Sequence, residues 1–153
     1  MNYWIFRCNP AKYRIDDRLA FPEPRITWRV SRYSAGIAPG DIAFIWRGGN
    51  TPGICAVIAI DSYPQKMAEL DHEKPFCTTL PTDTEVRVTA RLRHPIVFLP
   101  KASIQADPQL ADLSVLHFTQ ATNYRVTTGE GRRLEEHLKL IEQTTVELRR
   151  TSR

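Results

Sequence analysis

The sequence has 153 residues, of which 42% are hydrophobic and 25% are charged, and its formal net charge is +4 at neutral pH. This size and balance suit one globular domain and exclude an intrinsically disordered chain, which would carry fewer apolar residues. No apolar run approaches the about 20 residues that cross a bilayer, and the N-terminus lacks the pattern of a signal peptide. We therefore expect a cytoplasmic protein with no membrane partner.

The positive charge is concentrated in the first third of the chain. Residues 1–47 contain eight Lys or Arg and four acids, so this segment carries the whole net charge. Arginine outnumbers lysine 16 to 5, and the planar guanidinium binds phosphate oxygens and stacks on flat rings. This distribution favours an acidic partner such as nucleic acid, with a solvated basic surface as an equally weighted alternative.

Short aromatic and β-branched segments predict the strands of the first half. We predict strands at 2–7, 26–30, 42–46 and 53–60, and a short helix near 14–20. The third and fourth strands are separated by a Gly/Asn/Pro loop, which predicts an antiparallel hairpin. Both are continuously apolar, which is typical of strands covered on two faces.

Residues 61–85 show no clear period and predict a long surface excursion. Residues 86–93 alternate between apolar and polar side chains, which predicts a strand with one wet face. The residues on that face are Arg87, Thr89, Arg91 and Arg93.

The last third predicts short helical turns at 101–116, a strand at 123–127 and a closing helix. Thr127 and Glu130 have the spacing of a capping box at the start of that helix. Apolar residues then follow at i, i+4 and i+7 on one helix face, as expected for a helix docked on a sheet. These elements predict an α+β fold built on a curled sheet, with one domain at 1–145 and a C-terminal tail at 146–153.

The sequence contains no recognisable catalytic or metal-binding constellation. His72, His94, His117 and His137 lack His or Cys partners at ligand spacing. The three cysteines are too widely spaced for a metal motif or a disulfide framework. A phosphate-binding loop and a nucleophile elbow are also absent. We expect no catalytic residues, no metal and no cofactor.

Two tryptophans, each followed by an arginine, are the most distinctive feature. Trp28 lies in a short strand, and Trp46 ends a strand just before Gly48 and Gly49. Proteins hold single bases by stacking them on aromatic faces while polar groups contact the base edge, and each stacked base contributes about 1–3 kcal/mol. Two such walls could offset the cost of extracting a base from a duplex. The alternative is that both rings belong to the core.

Four blocks of the sequence resemble the EVE domain family. They lie at 3–10, 26–33, 40–48 with 53–54, and 120–127, in the family's order. The EVE family is similar in fold to PUA domains and to the YTH readers of methylated adenine. The resemblance implies a PUA-like mixed β pseudo-barrel with short helices and a C-terminal helix. It also implies a pocket for a flipped or single-stranded base, with modified DNA favoured over RNA.

The resemblance assigns roles to individual residues. Trp28 and Trp46 correspond to aromatic pocket walls. Ser31 stands where many relatives carry Asn, and a hydroxyl offers fewer hydrogen bonds than an amide, which leaves the preferred base open. The implied base-binding pocket comprises Trp28, Ser31, Trp46, Gly53, Thr122 and Asn123. The implied contacts to the phosphate backbone come from Arg29, Arg32, Arg47 and Arg125.

Three functions follow from these patterns. The first is a non-enzymatic domain that binds a modified nucleobase. Family members occur alone or fused to nucleases and ATPases of modification-dependent restriction, so a separate effector such as a nuclease is an expected partner. The second is a small enzyme or ligand-binding protein acting on a nucleoside-like molecule, with Cys55 or Asp41 as the candidate reactive group. The third is a protein-interaction module whose basic face contains Arg14, Arg18 and Arg25.

Overall fold

The computed structural model describes residues 1–31, 34–79, 81 and 85–152. Within these ranges the chain forms eight strands: β1 Tyr3–Cys8, β2 Arg25–Arg29, β3 Ile42–Arg47, β4 Gly53–Ile60, β5 Gln65–Lys66, β6 Val86–Leu92, β7 Leu99–Pro100 and β8 Asn123–Val126. It also forms four α-helices: α1 Ile15–Ala20, α2 Lys101–Gln105, α3 Ser114–His117 and α4 Thr128–Thr151. Short 3₁₀ turns lie at Ser34–Gly36, Lys74–Phe76 and Pro108–Leu110. The predicted strands, the helix near 14–20 and the helical turns at 101–116 are confirmed.

All eight strands belong to one mixed sheet. Its main path runs in the order β2-β6-β4-β3-β1-β8, while β5 pairs with β6 and β7 pairs with β4. β3 and β4 form the predicted antiparallel hairpin, and β1 runs parallel to β3. The two ends of the path, β2 and β8, are brought close together by contacts described below, so the sheet curls into a pseudo-barrel. The predicted α+β, PUA-like architecture with short helices and a C-terminal helix is confirmed.

Each face of the sheet has its own hydrophobic core. Successive residues of a strand point to opposite faces, so β1 places Phe6 in the inner core and Ile5 in the outer core. β3 does the same with Ile45 and Phe44. The inner core fills the barrel, whereas the outer core lies beneath α2, α3 and α4. Both faces of the central strands are therefore covered, as their continuous apolar sequences predict.

The closing helix α4 begins at the predicted capping box. The Thr127 hydroxyl accepts a hydrogen bond from the Glu130 backbone N–H (3.1 Å), and the Glu130 carboxylate accepts one from the Thr127 N–H (3.0 Å). A Cβ at Gly131 would lie 2.1 Å from the Tyr3 ring, so this glycine permits α4 to contact β1 closely. The helix continues to Thr151 with exposed side chains, past the boundary predicted at residue 145. Of the helices in the described ranges, none has the length and apolar character to span a bilayer.

A charged cluster fixes α4 to the start of the 3₁₀ turn at Pro108–Leu110. The Asp107 carboxylate accepts hydrogen bonds from His137 Nε2 (2.7 Å), Arg133 Nε (2.6 Å) and the Gln109 backbone N–H (2.9 Å). The bonds from His137 and then Arg133 lower the pKa of Asp107 from 3.8 to about 2. Because these bonds stabilise the carboxylate, Asp107 is ionised in the folded protein at neutral pH.

The excursion between β4 and β6 covers part of the sheet. Arg87, predicted on a wet face of β6, is only 1% exposed. Its guanidinium forms ion pairs with Glu85 (2.7 Å) and Glu69 (3.5 Å) and donates to the Met67 carbonyl (2.6 Å). The prediction for Arg87 is therefore wrong. Alternation identifies the two faces of a strand, but it does not show whether another segment covers the polar face.

Candidate functional site

The two edge strands of the sheet meet at a polar seam. Ser31 follows β2 and Thr122 precedes β8, so the curl of the sheet brings these distant residues together. Their hydroxyls share a hydrogen bond. The Asn123 side-chain oxygen accepts bonds from the Ser31 backbone N–H (3.4 Å) and from the Thr122 hydroxyl (3.0 Å). The structure thus brings together three of the predicted pocket residues, which we call the seam.

The three seam residues differ in what they offer to a ligand. Ser31 is exposed and Thr122 is half-buried, so both hydroxyls are near solvent. Asn123 is 1% exposed, and its carbonyl oxygen is already engaged by both neighbours. Asn123 therefore positions the two hydroxyls, and Ser31 and Thr122 are the groups that can contact a ligand.

A cleft of about 580 Å³ opens at the seam, lined by Ser31 and the continuous segment 117–122. The backbone of this segment is anchored from both sides. The Arg7 N–H donates to the Thr122 carbonyl (2.8 Å), and the Arg7 guanidinium donates to the Thr119 carbonyl. The Tyr124 hydroxyl donates to the Phe118 carbonyl. The volume lies in the range of small-molecule pockets.

A larger groove of about 810 Å³ lies between α4 and residues 93–97. Charged and apolar residues of α4 line it together with apolar residues of β4 and of 95–97, and an ion pair between Arg93 and Glu135 joins its two sides. None of the predicted site residues lines it. The smaller cleft at the seam is therefore the better candidate.

Trp28 and Trp46 do not form two walls of one slot. Trp28 is 9% exposed and lies in the inner core, with the Tyr13 ring edge-on at 5.7 Å. Trp46 is 4% exposed and lies in the outer core. The sheet separates the two indoles, so the prediction that they stand exposed around a common opening is wrong. Both faces of β3 are covered, and a tryptophan at the end of such a strand is buried whichever way it points.

The close approach at Gly53 is made by another strand. A Cβ at this position would lie 2.3 Å from the Leu99 carbonyl oxygen and 3.0 Å from the Phe98 ring. Gly53 pairs with Arg47 of β3 and Pro100 of β7. Its missing side chain therefore accommodates β7, and Gly53 does not line the cleft.

The four arginines expected to contact phosphates have different settings. Arg29 is exposed beside Glu85 (3.2 Å), and Arg125 is exposed on β8 with its guanidinium 5.9 Å from the Trp4 ring. The Arg47 side chain is 16% exposed, because it pairs with Asp16 (2.5 Å) and packs over the Phe98 ring. These contacts hold Arg47 against the protein. Arg32 lies outside the described residues.

The two groups considered for catalysis have structural roles. Asp41 is 2% exposed, and its carboxylate accepts hydrogen bonds from Trp4 Nε1 (2.9 Å) and from the Asn2 (2.9 Å) and Ala38 (3.0 Å) backbone N–H groups. Burial raises the pKa of the Cys55 thiol to about 12. Cys55 is therefore a protonated, unreactive thiol at neutral pH.

Arg18 does not belong to the basic face on which it was expected, because its side chain is in the interior. Arg18 is fully buried and pairs with Glu73 at 2.6 Å. Its guanidinium also donates to the carbonyls of Glu23 (2.9 Å) and Arg25 (2.8 Å). Arg18 joins α1 to the excursion, and only Arg14 and Arg25 of this set reach solvent.

Sequence reasoning missed the segment 117–121 and Arg7. Phe118 is 67% exposed although it is aromatic. Phe118 lies between a short helix and a strand, outside any hydrophobic periodicity, so the sequence did not show whether its side chain is buried or exposed. Across the described ranges, no group of three or more His, Cys, Asp or Glu side chains could hold a metal ion.

Comparisons with solved structures show the same fold in distant proteins. A protein of Rhodopseudomonas palustris has a TM-score of 0.67 at 18% identity, covering 92% of this chain and 95% of its own. A hypothetical protein of Leishmania major has a TM-score of 0.66 at 16% identity, covering 94% and 97%. Human THYN1, solved in complex with DNA containing 5-methylcytosine, has a TM-score of 0.64 at 16% identity, covering 93% and 98%.

The sequence comparisons identify the family. No curated protein matches the sequence. The family model described as the EVE domain matches residues 2–137, which include all eight described strands and the N-terminal part of α4. The chain belongs to the EVE domain family.

Proposed function

We propose that this EVE domain binds nucleic acid by taking one nucleobase into the cleft at the seam, and that it does so without catalysing a reaction. The preferred base is a modified one in DNA. The observation that carries the proposal is the pair of hydroxyls, Ser31 and Thr122, beside a cleft of about 580 Å³ where the sheet closes.

The hydroxyl pair suits the edge of a base. A hydroxyl donates one hydrogen bond and accepts others, and base edges present donors and acceptors in a fixed pattern. The Ser31 hydroxyl shares a hydrogen bond with the Thr122 hydroxyl, which donates in turn to the Asn123 side-chain oxygen. A base that covers these hydroxyls must replace the bond between them with matching ones, because a polar group shielded from water without a partner is costly. Selectivity follows from that exchange.

The fold comparison supports DNA carrying a modified base as the ligand. The human THYN1 structure is a complex with DNA containing 5-methylcytosine. The likeness covers 93% of this chain at 16% identity, so it supports the ligand class by analogy of fold. Ala121, an apolar residue, lines the cleft beside Thr122, where a methyl group would add no unpaired polar atom.

Arginines near the seam supply the attraction to phosphates. Arg29 lies near the end of β2 and Arg125 lies on β8, so the two exposed side chains belong to the strands that the seam joins. Such contacts add affinity that falls with salt and carries no base selectivity. Because the proposed site binds and does not react, its biological output requires a separate effector, such as a nuclease.

The test compares two fluorescent oligonucleotides that differ by one 5-methylcytosine, by anisotropy at two salt concentrations. We expect the wild type to prefer the modified strand. Thr122→Val keeps the side-chain shape and removes the hydroxyl, so it should weaken binding of the modified strand about tenfold, the effect of a lost hydrogen bond of about 1.4 kcal/mol. Thr144→Val, on the exposed face of α4, is the matched control.

A second variant separates base contacts from phosphate contacts. Arg125→Gln should weaken modified and unmodified strands equally and reduce the salt slope by about 1. Equal affinity of the wild type for both strands, or unchanged affinity in Thr122→Val, would overturn the proposal.

A further inference from the structure

Phe118 lies at the rim of the proposed base cleft with its ring in solvent. The residue is 67% exposed and lines the same cleft as Ser31 and Thr122. A single exposed apolar residue on a surface is ordinary. Its position beside a polar site for a flat ligand is what distinguishes Phe118.

The backbone that carries the ring is held in place. The N–H of Phe118, which follows the end of α3, donates to the Ser114 carbonyl (2.9 Å), and the Phe118 carbonyl accepts from the Tyr124 hydroxyl. The next carbonyl, that of Thr119, accepts from the Arg7 guanidinium. All three bonds use backbone atoms of the segment. The ring is thus presented on a fixed support that does not depend on the ring itself.

A fixed aromatic ring beside the cleft matters most for a duplex. Extruding a base leaves a gap one base step thick, about 3.4 Å, which a flat ring can fill. It also leaves the opposite base unpaired and its neighbours unstacked. Proteins that distort duplexes are able to insert apolar side chains between base steps. A single strand has no such gap.

We propose that Phe118 is a wedge that enters the duplex beside the extruded nucleotide, so that the preferred substrate is double-stranded. The inference rests on the proposed function of the cleft. In this arrangement Ser31 and Thr122 contact the extruded base, and Phe118 contacts the DNA duplex from which the base has been extruded.

The test is Phe118→Ala, measured on a duplex and on a single strand that carry the same 5-methylcytosine. We expect duplex affinity to fall about tenfold or more, which corresponds to the loss of about 1.4 kcal/mol or more of stacking. Single-strand affinity should not change. Tyr63→Ala is the matched control, since Tyr63 is 68% exposed and does not line the cleft. Phe118→Trp should retain duplex affinity.

A 2-aminopurine placed next to the target base reports unstacking directly. Its fluorescence should rise when the wild type binds the duplex and rise less with Phe118→Ala. An equal loss of affinity for both substrates would overturn the wedge, because the ring would then contact the base inside the cleft. Unchanged affinity for both would overturn it as well.

The same assay separates the two proposals. If Thr122→Val weakens both substrates while Phe118→Ala weakens neither, the base cleft stands and the wedge is wrong. If the wild type shows no preference for the modified base in either substrate, the proposed function fails and the wedge fails with it.

Discussion

Trp46→Ala tests the distinction between an indole that supports the fold and one that holds a ligand. Trp46 is 4% exposed in the outer core, with the sheet between it and Trp28. If the ring only supports the fold, its loss should lower the free energy of unfolding without removing the base site.

The magnitude follows from the burial. A large aromatic side chain buries about 150–250 Å², and about 25 cal/mol per Å² gives about 4–6 kcal/mol for the whole ring. Alanine retains part of this contribution, and a compact unfolded chain reduces it further. We therefore expect a loss of about 3–5 kcal/mol, the usual range for such substitutions. This is a large part of the about 5–15 kcal/mol that stabilises a typical domain.

The assay combines urea unfolding with oligonucleotide binding in the same buffer. The unfolding midpoint should fall, while the folded fraction should bind the modified strand with wild-type affinity. Trp46→Phe fills most of the same volume, so its free energy of unfolding should lie between those of the wild type and Trp46→Ala. An unchanged midpoint together with lost binding would refute the reasoning, since it would make Trp46 a ligand contact.

Three further predictions concern buried and charged groups. Arg18→Met leaves the Glu73 carboxylate buried without its arginine partner and should lower the free energy of unfolding by about 3–5 kcal/mol in urea titration. Arg18→Met/Glu73→Leu should recover much of this loss, and a double variant no more stable than the single one would contradict the prediction. Because the pKa of Asp107 is lowered in the folded protein, its charge stabilises the fold fully above pH 3.8, and this contribution is lost as the pH falls through about 2. Asp107→Asn should therefore remove the loss of stability between pH 3.8 and about 2 in a pH-unfolding curve. Burial raises the pKa of Cys8 and of Cys55 to about 12, so iodoacetamide at pH 8 should alkylate them only after unfolding, as mass spectrometry would show.

The fold was largely predictable because its signals are local. The strands at 42–46 and 53–60 are continuous apolar segments between turn residues, and the capping box at Thr127 marks the start of α4 within one residue. The faces of the strands were harder to predict. β3 is apolar on both faces, so its sequence does not show that Ile45 points inward and Trp46 outward.

The residues of the candidate site were selected only where the family resemblance reached them. The resemblance selected Ser31, Thr122 and Asn123, which the structure joins at the seam. It also selected Trp46, whose burial depends on which segments cover the outer face. Phe118 is exposed on a backbone fixed by the Tyr124 hydroxyl and, at the next carbonyl, by Arg7, and such contacts have no trace in residue type or spacing.

The way in which the barrel closes links binding to its mechanics. Elsewhere along the main path of the sheet, neighbouring strands share ladders of backbone hydrogen bonds, but the meeting of Ser31 with Thr122 and Asn123 relies on side chains. A ligand that contacts both β2 and β8 would favour the closed barrel over any conformation in which these two strands separate. By thermodynamic linkage, a substitution that lets β2 and β8 separate weakens ligand binding even if the substituted residue does not contact the ligand. Amide hydrogen exchange in β2 and β8 should accordingly slow on binding, more than exchange in the central hairpin.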